Sequence, residues 1–425
     1  MRKIILILCA LSIIACKEKK SNNKLLLADS TTRDIISYDH GELVEISPDN
    51  IPIIDLNKKY PEQEIILQDI ASIEYIPLET RDDILVQGNY LAYYSNKSSV
   101  VYNPEQGDIF IFDSKTGKLI SKFNGKGRSG NEYINIFGLA YDENLEEIYV
   151  ADNRVSSTII LIYSKEGKFI RAISMPQGVY IDKISNFDNE TLLIYNRYRP
   201  TLSIMTDINQ QKPYLFISKK NGSIVSRIDI NFSERLSDRV YVPVDKGAYP
   251  MVISMWSNIK YSDEYVIADL SSDTVFVYTK EKGAIPLFTR TPSVWDNEGA
   301  FLGMSVGLKT DRLVGINAVI FDFATLRKEF EKGNQPTLDN IELLYDFKSN
   351  TVFKKKIVNS DSSTGFNRLD SYNVDIQERN TSVSLISSIK IIEALERNEL
   401  KGELLSIAQS IDEGDNPVLM IIRFK

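Results

Sequence analysis

Cysteine and histidine are scarce in this sequence. Its 425 residues include two cysteines, Cys9 and Cys16, and one histidine, His40. Because His40 lies in a polar stretch near the N-terminus, we expect no histidine-dependent catalytic triad and no site with several histidine ligands. Both cysteines also lie near the N-terminus, so disulfides do not stabilise the domain. Its stability has to come from a large packed core, which a chain of this length can form.

An excess of positive charge is also missing. Lys and Arg number 50 against 58 Asp and Glu, and the net charge is −8. A chain of this sign repels nucleic acid and anionic lipid head groups, so we expect neither as a partner. The apolar stretch Ile4–Ala15 is also too short for a membrane-spanning helix, which needs about 20 residues.

The N-terminus does contain the pattern of an export signal. Two basic residues precede the apolar stretch, which ends in the small residue Ala15 directly before Cys16. This end resembles the lipobox of bacterial lipoproteins, which implies cleavage before Cys16 and lipid on its sulfur. The expected organisation is a signal peptide over residues 1–15, a lipidated Cys16 with a flexible linker over 16–50, and one domain over 51–425.

From residue 51 onward, short runs rich in Ile, Val, Tyr and Phe alternate with turn residues, which indicates β-strands. Five segments follow the pattern of an antiparallel hairpin with a residue in its turn that tolerates positive φ. These turn residues are Gly117, Gly167, Gly222, Gly283 and Asn350. Their intervals of roughly 50 to 70 residues and the absence of long helices favour a β-propeller, in which four-stranded blades stack in a ring.

The strands before and after these five hairpins complete the prediction. With them we expect an all-β, six-bladed β-propeller whose first and last strands share one blade. Helical spacing of apolar residues predicts short helices inserted near the C-terminus, over Ser384–Glu396 and Glu399–Ile411. A further short helix is expected over Ala324–Lys332.

Several segments resemble a known family, the six-bladed β-propeller lipoproteins of Bacteroidetes. Tyr75–Thr80 is similar to the opening strand of that family, and Gly125–Tyr133 resembles its Gly-x-Gly-x-Gly-Glu-Tyr segment with one extra residue. Glu399–Leu405 resembles its closing helix. Tyr149–Arg154 is similar to a strand of NHL-type propeller repeats. The resemblance implies architecture and export but no particular chemistry.

The resemblance also places the protein in the cell envelope. It implies an outer-membrane lipoprotein that faces either the periplasm or the cell surface, with the membrane as partner through the acyl chains on Cys16. Asp29–Thr31 is similar to a short O-glycosylation acceptor used in this bacterial group. Ser30 is therefore the candidate for modification, since it lies in the expected linker and a modified residue has to be exposed.

The chain is rich in aromatic residues, with 22 Tyr and 18 Phe. Two stretches expected to be irregular, Tyr195–Arg199 and Tyr249–Trp256, are able to form an aromatic surface for a sugar or another ligand. The candidate ligand-binding residues there are Tyr195, Arg197, Tyr198 and Trp256. The alternative interpretation is that these rings only pack between blades.

Acidic and amide side chains at the ends of predicted strands give a second kind of candidate. Asp152, Asn153 and Asp269 carry the oxygen ligands that Ca²⁺ prefers. In lactonase-like six-bladed propellers, Asp, Asn and Glu from several blades meet on the axis and hold Ca²⁺. The alternative is that they begin turns by bonding their own backbone.

We therefore expect a binding or assembly module without a cofactor that presents a propeller face to a glycan, a peptide or a partner protein. The enzyme alternative is a Ca²⁺-dependent lactonase-like protein or a lyase with carboxylates on the axis, chemistry that needs no histidine. A third possibility is a sensor or structural component of an uptake system.

Overall fold

The computed structural model describes most of the chain beyond residue 50 and two strands before it. The described residues are 35–39, 42–46, 51–86, 90–154, 157–198, 207–232, 234–237, 239–244, 247–252, 258–295, 300–334 and 339–425. They form an all-β fold with a few short helices.

The strands follow one another closely along the described chain. They are β1 (Ile35–Asp39), β2 (Glu42–Ile46), β3 (Ile53–Asp55), β4 (Glu62–Ile66), β5 (Ala71–Pro77), β6 (Tyr90–Tyr94), β7 (Ser98–Tyr102), β8 (Asp108–Asp113), β9 (Leu119–Asn124), β10 (Gly138–Asp142), β11 (Glu147–Asn153), β12 (Thr158–Ser164), β13 (Phe169–Ser174), β14 (Ile181–Asn186), β15 (Thr191–Asn196), β16 (Tyr214–Ser218), β17 (Ile224–Arg227), β18 (Arg239–Val244), β19 (Gly247–Val252), β20 (Asn258–Tyr261), β21 (Glu264–Ile267), β22 (Thr274–Thr279), β23 (Gly283–Thr291), β24 (Ala300–Lys309), β25 (Leu313–Asp322), β26 (Asp339–Asp346), β27 (Thr351–Val358), β28 (Asp375–Ile376), β29 (Thr381–Ile386) and β30 (Val418–Phe424). The helices are α1 (Leu67–Ile70), α2 (Ile208–Gln211), α3 (Phe323–Glu331), α4 (Ser388–Glu396) and α5 (Gly402–Ala408).

Consecutive strands pair antiparallel in units of four, the topology of propeller-like folds. These units are β6–β9, β10–β13, β14–β17, β20–β23 and β24–β27. The last two strands of each unit are one of the five predicted hairpins, which are all confirmed. Their turn residues have positive φ, between 50° and 83°, as predicted; they are Gly117, Gly167, Gly222, Gly283 and Asn350.

The inner strands of a unit are buried on both faces. In the inner strand β11, the consecutive residues Ile148–Ala151 are all fully buried. In β13, the last strand of the same unit, half-buried and exposed residues alternate over its first four positions. Alternation is expected where one face of a sheet meets water, and continuous burial where both faces are covered. The units therefore pack face to face, and the apolar core lies between them.

The two ends of the domain meet in one sheet. β30 pairs antiparallel with β29 on one side and with β5 on the other. Just before β30, the buried amide of Asn416 donates to the carbonyls of Glu79 and Ile84 at 2.7 and 2.8 Å, and its oxygen accepts from the N–H of Val86 at 2.7 Å. The predicted sharing of one unit by the first and last strands is confirmed, and hydrogen bonds hold it closed.

The strands before β5 reinforce two further units. β3 pairs in parallel with β23, and β4 pairs in parallel with β27. The short strand β28 pairs in parallel with both β20 and β6, the first strands of two different units. These two units therefore belong to one ten-stranded sheet.

The helices agree in part with the predicted positions. α3 lies within one residue of the predicted helix Ala324–Lys332, and α5 lies inside the predicted Glu399–Ile411. The prediction of a helix over Ser384–Glu396 was wrong at its start, because Ser384–Ile386 pairs with β30 as the end of β29. Among the residues described, no helix is long and apolar enough to cross a membrane.

The structure has a hairpin within the segment that the sequence predicts as a flexible linker. β1 and β2 pair antiparallel, with Ile35 opposite Ile46. Isoleucine and valine favour strands, which the polar composition of residues 16–50 obscured. Cys16, Ser30 and His40 lie outside the described residues, so lipid attachment at Cys16 and glycosylation at Ser30 stay predictions.

Candidate functional site

Two of the predicted ligand-binding tyrosines lie around one buried arginine. The guanidinium of Arg235 donates to the hydroxyl of Tyr195 and lies 5.2 Å from the ring centre of Tyr195 and 5.5 Å from that of Tyr198. The ring of Tyr195 is 5.0 Å from that of Tyr214, whose hydroxyl donates to Asp269 at 2.9 Å. Arg235 is only 4% exposed. The structure thus gathers Tyr195, Tyr198 and Asp269 around the buried Arg235, and ligand binding by the two tyrosines stays a prediction.

The other predicted aromatic-surface residues do not join this cluster. Arg197 pairs with Asp182 at 3.4 Å. Trp256 lies outside the described residues. The sequence predicts irregular chain over Tyr195–Arg199 and Tyr249–Trp256, but the first part of each segment is strand, in β15 and β19. That prediction was wrong because aromatic and β-branched residues pair well in sheets.

The structure does not bring the three predicted metal ligands together. Asp152 is buried and accepts hydrogen bonds from Arg154 at 2.9 Å and from a backbone N–H. Asn153 bonds in both directions to the backbone of Ile181. Asp269 accepts from Tyr214 and from a backbone N–H. Among the described residues, no three His, Cys, Asp or Glu side chains form a group that could hold a metal ion, and calcium binding stays a prediction.

A second buried cluster lies near the first strands of the units. It comprises Asp142, Lys183, Lys219, Lys260 and Asp375, here named the central ion cluster. Lys183 Nζ lies 3.3 Å from Asp375, Lys219 bonds to Asp142, and Lys260 donates to a backbone carbonyl. None is more than 7% exposed. Burial lowers the pKa of Lys260, although the attraction of Asp375 opposes this. Two ion pairs and one hydrogen bond from a lysine to a backbone carbonyl thus connect neighbouring units.

A cavity of about 580 Å³ lies over one face of the sheet β24–β27; we name it the polar cavity. Its floor is a row of polar residues, one from each strand. Ser305 is opposite Asn317, Asn317 is opposite Glu342, and the register of β26 with β27 continues the row to Lys355. Residues directly opposite in antiparallel strands share a face. The register therefore aligns a hydroxyl, an amide, a carboxylate and an ammonium group.

The segment 367–372 forms the wall of the polar cavity. The N–H of Ser371 donates to the carbonyl of Gly307 at 2.8 Å, and Oγ of Ser371 accepts from a backbone N–H of β29. A Cβ atom at Gly307 would lie 2.3 Å from Oδ1 of Asp370. Glycine at this position therefore lets the wall approach β24, and the close contact fixes Asp370 and Tyr372 beside the row.

The charges of the polar cavity are only partly matched. Lys355 Nζ lies 3.1 Å from Asp370 and 3.5 Å from Glu342. Asp370 is 9% exposed, yet no donor in the described part of the chain reaches its Oδ1. Burial raises the pKa of Tyr372, and Asp370 raises it further, so its hydroxyl keeps the proton. The cavity offers hydrogen-bond donors, acceptors and an aromatic ring at distinct positions.

Sequence reasoning missed the polar cavity. Two residues could have indicated it. Asn317 is the one polar residue in the interior of strand β25, and Glu342 is a charged residue next to apolar ones in β26. A lone polar residue in such a strand is expected to have a specific partner. The register that joins these residues to Lys355, and the return of Asp370 to the same face, do not follow from local pattern.

One family model matches the chain. Its description is "Domain of unknown function (DUF4934)", and it covers residues 51–298, more than half of the chain. Four of the five residues of the central ion cluster lie in this range, whereas all the residues lining the polar cavity follow it. No curated protein matches the sequence.

Two solved structures align with most of this chain. A protein of Bacteroides fragilis NCTC 9343 described as exported aligns with a TM-score of 0.60 at 13% identity, covering 88% of this chain and 99% of that one. The PQQ-bound aldose sugar dehydrogenase of Streptomyces coelicolor aligns with a TM-score of 0.36 at 12% identity, covering 83% of this chain and 98% of that one. The first similarity shows that the fold extends over most of the chain; it concerns the fold alone.

Proposed function

The chain belongs to the DUF4934 family, and on that premise we propose that it is a binding module whose polar cavity holds a glycan. The observation that carries the proposal is the row of Ser305, Asn317, Glu342 and Lys355, which faces the wall containing Asp370. The proposal requires no catalytic step of these residues. Their role is to recognise a ligand by shape and hydrogen bonding.

The groups in the cavity suit a sugar. Carboxylate oxygens accept hydrogen bonds from sugar hydroxyl groups, and an amide both accepts and donates. Glu342 and Asp370 supply the carboxylates, and Asn317 supplies the amide. The ring of Tyr372 offers an apolar surface to the C–H face of a pyranose. Ligand pockets usually measure about 300–1,000 Å³, and a cavity of about 580 Å³ lies in this range.

The same proposal includes the architecture that supports the cavity. The five four-stranded units and the three-stranded sheet β29–β30–β5 correspond to six blades of one ring. The short strand β28 crosses between two of them, and the two ends of the domain meet in the sixth. This arrangement is rigid enough to hold a wall and a floor from different segments in a fixed geometry.

We also propose that lipid on Cys16 anchors the module to the cell envelope, most simply to the outer membrane. Support comes from the basic and apolar residues before Cys16 and from the exported protein with the similar fold. Mass spectrometry of the N-terminal peptide from the native host should find an acylated Cys16. A Cys16→Ser variant should leave the membrane fraction, and an unmodified Cys16 would contradict the anchor.

Binding of sugars to the mature chain tests the function directly. A glycan array followed by calorimetric titration of the hits should give a ligand with a micromolar Kd. Glu342→Gln should weaken that ligand about tenfold, since it removes a charged hydrogen-bond acceptor. Glu281→Gln, at the exposed turn between β22 and β23, is the matched control and should leave the affinity unchanged.

Two results of the sugar-binding experiments would overturn the glycan proposal. One is an array without any hit at micromolar affinity. The other is a hit whose affinity Glu342→Gln leaves intact, because that ligand would bind elsewhere on the protein. Selection of a peptide or a protein instead of a sugar by the same cavity would also contradict it.

A further inference from the structure

A second cavity, of about 590 Å³, lies between α4, β29 and the loop 364–368; we name it the apolar cavity. Most of its floor is apolar and is formed by Phe366, Leu385, Ile386, Pro417 and Met420. Arg368 lines both cavities, and the other residues of the apolar cavity line it alone. The apolar cavity is therefore a neighbour of the proposed glycan site and differs from it in chemistry.

Two cations line the apolar cavity without an acidic partner. Within the described ranges, no carboxylate lies at ion-pair distance from Arg368 or Lys390. The other charged groups there are matched, since Arg397 lies 3.9 Å from Glu393 and 3.0 Å from Glu399. The chain as a whole has a net charge of −8. The apolar cavity thus combines an apolar floor with two exposed positive charges at its edge.

We propose that the apolar cavity binds a small amphipathic carboxylate, an apolar body that ends in one acid group. The apolar body covers the floor and removes it from water. The acid group lies between the guanidinium of Arg368, which suits two parallel hydrogen bonds to a carboxylate, and the ammonium of Lys390. A neutral ligand of the same shape leaves both cations unmatched, and a charged sugar leaves the floor uncovered.

A substitution at Lys390 tests the apolar cavity independently of the polar cavity. Arg368 lies 5.7 Å from the ring centre of Tyr372, a residue of the polar cavity, so a change at Arg368 affects both sites. Lys390 is exposed on α4 and lines only the apolar cavity. A substitution there removes a charge from the proposed site without altering the core.

Calorimetric titration of the mature chain with decanoate and with its neutral counterpart decanamide tests the proposal. Decanoate should bind at least tenfold more tightly than decanamide. Lys390→Gln should weaken decanoate about tenfold and leave decanamide unchanged, because only the acid group contacts the lost charge. Lys401→Gln removes another exposed lysine, outside the cavity, and Glu342→Gln alters the polar cavity; both should leave decanoate binding unchanged.

Leu385→Ala tests the apolar half of the site and should weaken both ligands by a similar factor. Far-ultraviolet circular dichroism and thermal melting show whether each variant keeps its fold. Equal affinity for decanoate and decanamide would overturn the proposal. So would a loss of decanoate binding in Lys401→Gln as large as that in Lys390→Gln. Failure of sugar binding in the polar cavity leaves this site intact, since the two readouts use different ligands.

Discussion

The central ion cluster and the polar cavity use the same kinds of side chain, lysine and carboxylate, but differ in how these are enclosed. In the central ion cluster, the side chains of Lys183 and Asp375 are 8% and 2% exposed. In the polar cavity, the side chain of Lys355 is 7% exposed, but that of its partner Glu342 is 51% exposed. In the first pair both side chains are shut off from water, whereas in the second water reaches one partner, Glu342.

This difference separates charges that hold strands together from charges that can bind a ligand. A buried ion without water depends on its protein partner, so the loss of one partner leaves the other uncompensated. A half-exposed ion keeps its water and can exchange it for the hydroxyl groups of a ligand. The same pair of residue types is therefore structural in one place and available for recognition in another.

The largest expected effect is in the central ion cluster. Lys183→Met removes the cation closest to Asp375, whose Oδ2 lacks a hydrogen-bond donor among the described residues. The buried carboxylate then loses its ion-pair partner and keeps the hydroxyl of Ser185, 2.8 Å from Oδ1, and the more distant charge of Lys260, so the free energy of unfolding should fall by about 3 kcal/mol. Urea denaturation monitored by circular dichroism measures the loss.

The double variant Lys183→Met/Asp375→Asn is the control for this effect. Without the buried carboxylate, more than half of the lost stability should return, because no charge is left unpaired. A loss below about 1 kcal/mol for Lys183→Met alone, the range of exposed pairs, would show that the two regions do not differ as described.

A smaller effect on stability is expected in the polar cavity. Lys355→Met leaves the buried Asp370 without its cation, but Glu342 is half in water and loses little, so the loss of unfolding free energy should be about 2 kcal/mol. Sugar binding should fall by at least tenfold in the same variant. The same denaturation experiment and a calorimetric titration check both values. A stability loss equal to that of Lys183→Met would remove the contrast between the regions.

The smallest effect belongs to an exposed pair outside both regions, Asp188 and Lys280 at hairpin turns. Partial burial raises the pKa of Asp188, but hydrogen bonds from Lys280 and Thr191 outweigh this and lower it from 3.8 to about 2. Since the folded state holds the carboxyl group ionised, its stabilisation is present above about pH 4 and is lost as the pH falls toward 2.

Asp188→Asn provides the comparison for this pH dependence. The wild type should be more stable than the variant at pH 6 by less than about 1 kcal/mol, because the pair is largely in water. The difference should vanish as the pH falls from 4 to 2. Unfolding curves at several pH values measure it, and a difference that persists at pH 2 would contradict the assignment.

Local sequence patterns predicted the parts of this fold that local chemistry decides. The turn residues Gly117 and Asn350 mark hairpins because few residues tolerate positive φ, and each hairpin forms between strands that are adjacent in the chain. The closure between β5 and β30 followed from the count of strands. The start of α4 was predicted too early because Leu385 fits a helical pattern and a strand equally well.

The sites depended on information that local patterns lack. Asn317, Glu342 and Lys355 become neighbours only through the register of three strands, and one residue of slip would place them on the opposite face. Arg235 organises the tyrosine cluster from a segment without any regular pattern. Asp152 was predicted as a metal ligand because its carboxylate lies at the end of a strand. In the structure, its oxygens accept hydrogen bonds from Arg154 and from a backbone N–H.

The late pairing of the N-terminal strands has a consequence for how the chain folds. β3, β4 and β5 pair with β23, β27 and β30, which follow them at a great distance in the sequence. Contacts between segments that are distant in the sequence form slowly. Until they form, the unpaired edges of the strands can pair with other chains and aggregate. During synthesis, β3 stays without its partner until β23 emerges, β4 until β27 and β5 until β30, so a chaperone that covers extended segments serves this protein more than one that covers helices. Truncation before β30 removes a single strand, yet it takes the pairing partner from both β5 and β29.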